Sequence, residues 1–239
     1  MSRHIFVSDT HVHPGLPGGS HSFLDFLRGP CRKADVVWLL GDIFDYWTGP
    51  KQVKGSDYPQ LLDALREVTA GGVRVEFIHG NRDYLVGRPF EKRTGVHVLG
   101  SSHTITLGGR QVYLAHGDFI YNRNSKYTAY RHLMNFPLLR HAVRSIPASC
   151  SGWLARRFQK VSRKTTPVVT WSGKEVLEEA RPLFLRGIDT VVCGHIHLPQ
   201  HQVLDQPGGG KEVYILGDWD GGSTHYLEYD GEFRFQPWV

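Results

Sequence analysis

Six short apolar runs punctuate the chain: HIFVS (4–8), VVWLL (36–40), VRVEFIH (73–79), VYLAH (112–116), TVVCGH (190–195) and VYILGD (213–218). Each has the length of a buried strand. Between several of them the period lengthens to that of a helix. In YPQLLDALREVTAGG, Leu61, Leu62, Leu65 and Val68 recur at three- and four-residue spacing before a glycine stop. Alternating strand and helix predicts α/β layering. Two hairpin signals, Gly108-Gly109 in HTITLGGRQVYLAH and Asp230-Gly231 in HYLEYDGEFRF, predict mixed rather than purely parallel sheets. The glycine-rich QPGGGK (206–211) reads as a loop between strands.

At 239 residues, 40% of them apolar, the chain is expected to form one domain, 1–239, around a real core. Cys31, Cys150 and Cys193 are too scattered for a disulfide framework or a thiolate zinc site, which fits a reducing compartment. The apolar run of MSRHIFVSD is too short for a signal peptide, and no run of about 18 apolar residues occurs, so a cytoplasmic location is expected. The formal charge of +5 hides an asymmetry. Residues 119–174 hold eleven Lys and Arg and no acid, leaving 17 bases against 23 acids elsewhere: an acidic body with a basic insert.

The chemistry gathers where five strands end, in SDTHVH, GDIFDYW, HGNRDY, AHGD and GHIHLP. Ligands of open α/β sheets collect at the carboxyl ends of strands, so these tips are expected to converge. Asp9 and His11, like His195 and His197, are two apart and in an extended chain would point to one side. Asp42 and Asn81 each follow a glycine, and His116 precedes one. Hard oxygens mixed with imidazoles suit Mn, Fe or Zn better than Ca or Mg. Seven ligands exceed the need of one catalytic ion with an open position, whereas two ions about 3.5–4 Å apart with a bridging carboxylate use them economically. A lone GD or GN is ordinarily a turn; five such signals in order at strand tips are not.

The ordered series D-x-H, GD, GN, HGD and GHIH resembles the calcineurin-like metallophosphoesterases from residue 9 to 197. The resemblance implies an αββα sandwich with mixed sheets and an inserted helical cap at 119–174. It also implies Asp9, His11, Asp42 and His197 on one metal and Asp42, Asn81, His116 and His195 on the other, with Asp42 bridging. Many members of that group have a histidine after GN; here the residue is Arg82, which clamps phosphate but gives up no proton. GDIFDYW, HGNRDYLVG, HGDFIYNRNSKYTAYR and ILGDW together resemble the UDP-2,3-diacylglucosamine pyrophosphatases of lipid A synthesis. That likeness implies Mn(II) first, with Fe or Zn as alternatives, and cleavage to UMP and 2,3-diacylglucosamine 1-phosphate. Asp42, Asn81, Arg82, His116 and His195 are then the catalytic set, and Asn81, Arg82, Tyr127, Arg131, Ser162, Arg163, Lys164 and His195 the substrate contacts. The positions of the family's CT and two acids after HGD are held here by Tyr121, Asn122, Arg123 and Asn124.

The insert independently suits an anionic lipid. In SGWLARRFQKVSRK, Trp153, Leu154, Phe158 and Val161 share one helical face while the bases occupy most of the rest, a pattern that suits the anionic inner-membrane surface or, equally, a helix packed on the body with its basic side solvated; the absence of acids over the whole insert favours the first. The competing readings are a phosphoesterase acting on another nucleotide, nucleic-acid or lipid diester, and a non-catalytic scaffold. The long apolar residues in FPLLRHAVRSIP weigh against nucleic acid, and the complete ligand set weighs against a scaffold.

Overall fold

The computed structural model describes residues 2–13, 19–47, 49, 58–121, 171–205, 209–219 and 224–238. Strands β1 (His4–Val7), β2 (Val36–Leu39), β3 (Arg74–Ile78) and β4 (His97–Gly100) run parallel, and β10 (Thr224–Tyr229) and β11 (Phe233–Trp238) add antiparallel to the β1 side. The resulting six-stranded sheet has the order β11-β10-β1-β2-β3-β4. A second, five-stranded sheet has the order β5-β6-β7-β9-β8. In it β6 (Arg110–Ala115), β7 (Thr190–His197) and β9 (Lys211–Gly217) are parallel, while β5 (Ser102–Leu107) and β8 (Gln200–Leu204) flank them antiparallel. The six predicted strands, both hairpins and the mixed pairing are present.

The continuous apolar runs follow from three stacked cores. Side chains of a strand alternate between faces. Phe6, Trp38, Leu40 and Ile78 meet Leu114, Val192, Tyr214 and Leu216 between the sheets. Their neighbours Ile5, Val37, Val75 and Phe77 turn outward against α1 (Gly19–Arg28), α2 (Pro59–Ala70) and α3 (Arg88–Thr94), which contribute Phe23, Phe26, Leu61, Leu65 and Phe90. On the far side Val191, Cys193, Val213 and Ile215 pack under Val176, Ala180 and Phe184 of α4 (Gly173–Phe184). Every central strand is thus covered on both faces, and the order of layers is α/β/β/α.

Helix α4 begins with a reciprocal cap: Ser172 Oγ accepts from Glu175 N, and Glu175 Oε2 accepts from Ser172 N at 2.9 Å. Ser172→Ala is expected to cost about 1 kcal/mol. A thermal-unfolding midpoint lower by roughly 2–4 °C would register it.

Residues 122–170 lie outside the described residues, and with them most of the expected cap and its candidates Tyr127, Arg131, Ser162, Arg163 and Lys164. The described residues on either side of this segment meet. Tyr121 and Trp171, both buried, meet edge to face with centroids 5.4 Å apart. Lys174 is already part of α4.

Candidate metal centre

Strands β1, β2 and β3 of one sheet and β6 and β7 of the other deliver their ends to the same edge of the sandwich. Asp9 and His11 follow β1, Asp42 follows β2, Asn81 and Arg82 follow β3, His116 follows β6, and His195 and His197 end β7. Backbone hydrogen bonds tie these tips together: Asp9 N to Gly41 O at 3.1 Å, His11 N to Asp42 O at 3.0 Å, and Gly194 N to His116 O at 2.8 Å. The ligand pairs converge by a different route from the extended chain expected. Asp9, His11, Asp42, His195 and His197 have φ of 53°, 43°, 53°, 73° and 63°, and they are all the non-glycine residues of positive φ among those described. Left-handed backbone costs a side-chain-bearing residue of order 1–3 kcal/mol, and its concentration in predicted ligands marks where the fold stores strain.

Asp9 stands at the centre. Its Oδ2 accepts from Ser8 Oγ at 2.7 Å and from His195 N at 2.9 Å. Its Oδ1 is buried and accepts no hydrogen bond among the described residues; His197 Nε2 and His11 Nε2 lie 3.4 and 3.9 Å away. Asp42 Oδ1 accepts from Arg82 N at 2.8 Å, while its Oδ2 lies 3.6 Å from His116 Nε2. His116 Nδ1 donates to the Leu40 carbonyl at 3.1 Å, and its Nε2 faces Asn81 Oδ1 at 3.0 Å. His195 sets its ring edge-on to that of His116, centroids 5.2 Å apart. His11 Nε2 and His197 Nε2 approach to 3.4 Å. All seven predicted ligands are therefore neighbours.

The arrangement asks for positive charge. Burial opposes ionisation of Asp9 and Asp42, but the cations around them override it, led for both by His116 and joined at Asp42 by Arg82, and hold both carboxyls below the usual range. Desolvation and the nearby His116 push His195 down to about 4. One donor atom from each of Asp9, His11 and His197 lies within 4.8 Å of the others, and the same holds for Asp9, Asp42 and His116. An orphaned buried carboxylate oxygen within clusters of imidazole nitrogens and carboxylate oxygens fits divalent cations that accept both. Asp9 is common to the two clusters in this ion-free geometry.

Four residues outside the expected set frame the site. Asp218 accepts from His197 Nδ1 at 3.0 Å, fixing the tautomer that aims Nε2 inward. It follows Gly217 at the end of β9, so it repeats the glycine-aspartate pattern of the other tips. Asp83, fully buried, binds the two ligand loops together: Oδ1 accepts from Gly80 N and Oδ2 from Ile43 N, each at 2.8 Å. Burial and the nearby Asp42 push its carboxyl up to about 7. Asp45 pairs with Arg82 Nη1 at 2.7 Å through Oδ1, and its Oδ2 lies 3.5 Å from His13 Nε2. His13 thus belongs to the rim of the site.

A profile of the calcineurin-like phosphoesterases matches residues 2–199. The UDP-2,3-diacylglucosamine hydrolase of Pseudomonas paraeruginosa (strain DSM 24068 / PA7) is 34% identical over 218 residues, 90% of each chain. That of Pseudomonas putida (strain W619) is 33% identical over 237 residues, 98% of each. Among solved structures, a dimetal phosphatase from Danio rerio aligns over 99% of this chain and 96% of its own, with 14% identity and a TM-score of 0.49. With its two-sheet sandwich and its clustered carboxylates and imidazoles, the chain belongs to the calcineurin-like phosphoesterase family and is a metallophosphoesterase.

Proposed function

We propose that this phosphoesterase hydrolyses the diphosphate of UDP-2,3-diacylglucosamine to UMP and 2,3-diacylglucosamine 1-phosphate. The reading is carried by likeness along nearly the whole chain to relatives bearing the name of that hydrolase, at 34% identity over 90% of both lengths. Asp9, His11, Asp42 and His197 would hold one divalent ion and Asp42, Asn81, His116 and His195 the other, with Mn(II) the preferred metal. Bound there, such ions make water a nucleophile at neutral pH and balance charge on the phosphoryl oxygens.

The chain's own residues supply position. Arg82 commits one Nη1 hydrogen to Asp45, and the remaining Nη hydrogens of its fork are suited to phosphate oxygens. An arginine offers no transferable proton at neutral pH. A sugar 1-phosphate leaves without one, since the second pKa of a phosphate monoester is about 6. Arg82 in place of an ionisable histidine therefore suits a diphosphate better than an ester with an alkoxide leaving group. Tyr127, Arg131, Ser162, Arg163 and Lys164 are the proposed contacts to the headgroup and lipid. Residues 119–174 are the proposed basic cap. No described helix is long and apolar enough to cross a membrane, and peripheral attachment to the cytoplasmic face of the inner membrane is part of the proposal.

The test is Mn-dependent release of UMP from UDP-2,3-diacylglucosamine in detergent, beside a simple phosphodiester. Cleavage of the simple diester alone would overturn the substrate while leaving the metallophosphoesterase assignment intact. Arg82→Ala is expected to raise KM about tenfold or more with a smaller change in kcat, because it removes charge-assisted contacts to phosphate. Unchanged kinetics would remove Arg82 from the substrate site.

A further inference from the structure

Arg82 is the proposed phosphate clamp, and a guanidinium on a flexible stem clamps well only if held. Two carboxylates face it. Asp42 Oδ2 lies 3.4 Å from Nε, and Asp45 Oδ1 accepts from Nη1 at 2.7 Å. Their roles differ. Asp42 belongs to the ligand cluster, where its charge is shared with His116 and with any bound cation. Asp45 is not in either cluster and is 2% exposed, while the Arg82 side chain is 26% exposed toward solvent. Its loop is also fixed from both sides: Asp45 N donates to Val12 O at 3.1 Å, and Trp47 N donates to Arg82 O at 3.0 Å. The second carboxylate oxygen faces His13 at 3.5 Å, so Asp45 is wedged between two side chains rather than free to follow the arginine.

We propose that Asp45 is a positioning residue for the reaction: it anchors one edge of the Arg82 guanidinium so that the other edge is presented to the scissile diphosphate. The inference rests on the reading of Arg82 as a phosphate contact. An isolated buried carboxylate gains little stability from such a pair, because desolvation offsets attraction. Its value is geometric, since a fork held at one end loses less entropy when the other end binds an anion.

Inorganic phosphate, titrated by calorimetry into metal-loaded protein, reads this without turnover. Asp45→Asn keeps the side-chain volume and one acceptor oxygen but removes the charge. It is expected to weaken phosphate binding about tenfold, with metal content unchanged. In an Arg82→Ala background the same substitution is expected to change affinity less than twofold, because the group it holds is gone. Equal weakening in both backgrounds, no weakening in either, or loss of metal from Asp45→Asn would overturn the proposal. If Asp45→Asn lowers the yield of folded protein, Asp45→Ser, which leaves room for a water, enters the same cycle. The cycle uses no organic substrate, so a failure of UMP release leaves it readable.

Discussion

Asp42→Ala is expected to lower metal-dependent turnover by about 10³-fold or more, the equivalent of several kcal/mol of lost charge stabilisation at the reacting phosphoryl group. The carboxylate is 2% exposed and sits between Arg82 and His116, so nothing mobile can take its place. Its proposed double duty predicts a second effect: metal per chain falls toward zero rather than from two to one. Asp9→Ala provides the comparison, because Asp9 contributes to both donor clusters of the ion-free geometry. If Asp42 bridges, Asp42→Ala empties the site while Asp9→Ala lowers the content from two toward one; if Asp9 bridges, the two outcomes are exchanged. If Asp42→Ala still retains two ions per chain by elemental analysis and turns over normally, Asp42 is not the bridge. The fold itself is expected to survive in the metal-free protein. Asp42 and Asp9 repel one another, and removing one relieves part of the cost of burying both.

Gly80→Ala is expected to destabilise the protein by about 2–3 kcal/mol and to empty the metal centre, although it adds one methyl group and removes no ligand. A Cβ at Gly80 would stand 2.2 Å from Asp42 Oδ1 and 2.3 Å from Asp42 N. The second contact is backbone, so rotation of a side chain cannot relieve it. The GD and GN tips must separate, and with them Asp42 leaves Asn81 and the loop bound by Asp83. Loss of roughly 5–10 °C in the thermal midpoint, together with loss of bound metal, is the expected readout. Gly72→Ala serves as the control. That residue has φ of +92° but nothing within 4 Å of a Cβ, so it tests backbone strain alone and should leave metal content unchanged. A Gly80→Ala protein with full metal content would show that the two tips need not touch.

Much of the architecture was legible because burial writes itself into the chain. Strands covered on both faces must be apolar throughout, and VVWLL and TVVCGH are. The shorter elements were not singled out. Helix α1 spans ten residues with Phe23, Phe26 and Leu27 at helical spacing. Strands β4 and β8 alternate weakly because they lie at sheet edges, where burial imposes less pattern. In the site, ligands announced themselves as polar residues at the ends of apolar strands. His13, Asp45 and Asp83 did not, since each lies two or three residues beyond a ligand, whereas Asp218 carried the same signal, a glycine and an acid ending an apolar strand.

What the sequence determined by itself was the inventory: which strands would be buried, which tips carried oxygen and imidazole donors, and that an arginine stands after Asn81. Tertiary structure alone decided how these donors meet. The left-handed turns at Asp9, His11, Asp42, His195 and His197 exist only because both sheets pin their backbones. The pairing of His197 with Asp218 joins residues 21 apart in the chain, and that of Arg82 with Asp45 joins residues 37 apart. Local preference disfavours those backbone conformations and says nothing of those pairs. Packing of the two sheets, summed over the core between them, supplies the free energy that holds both in place.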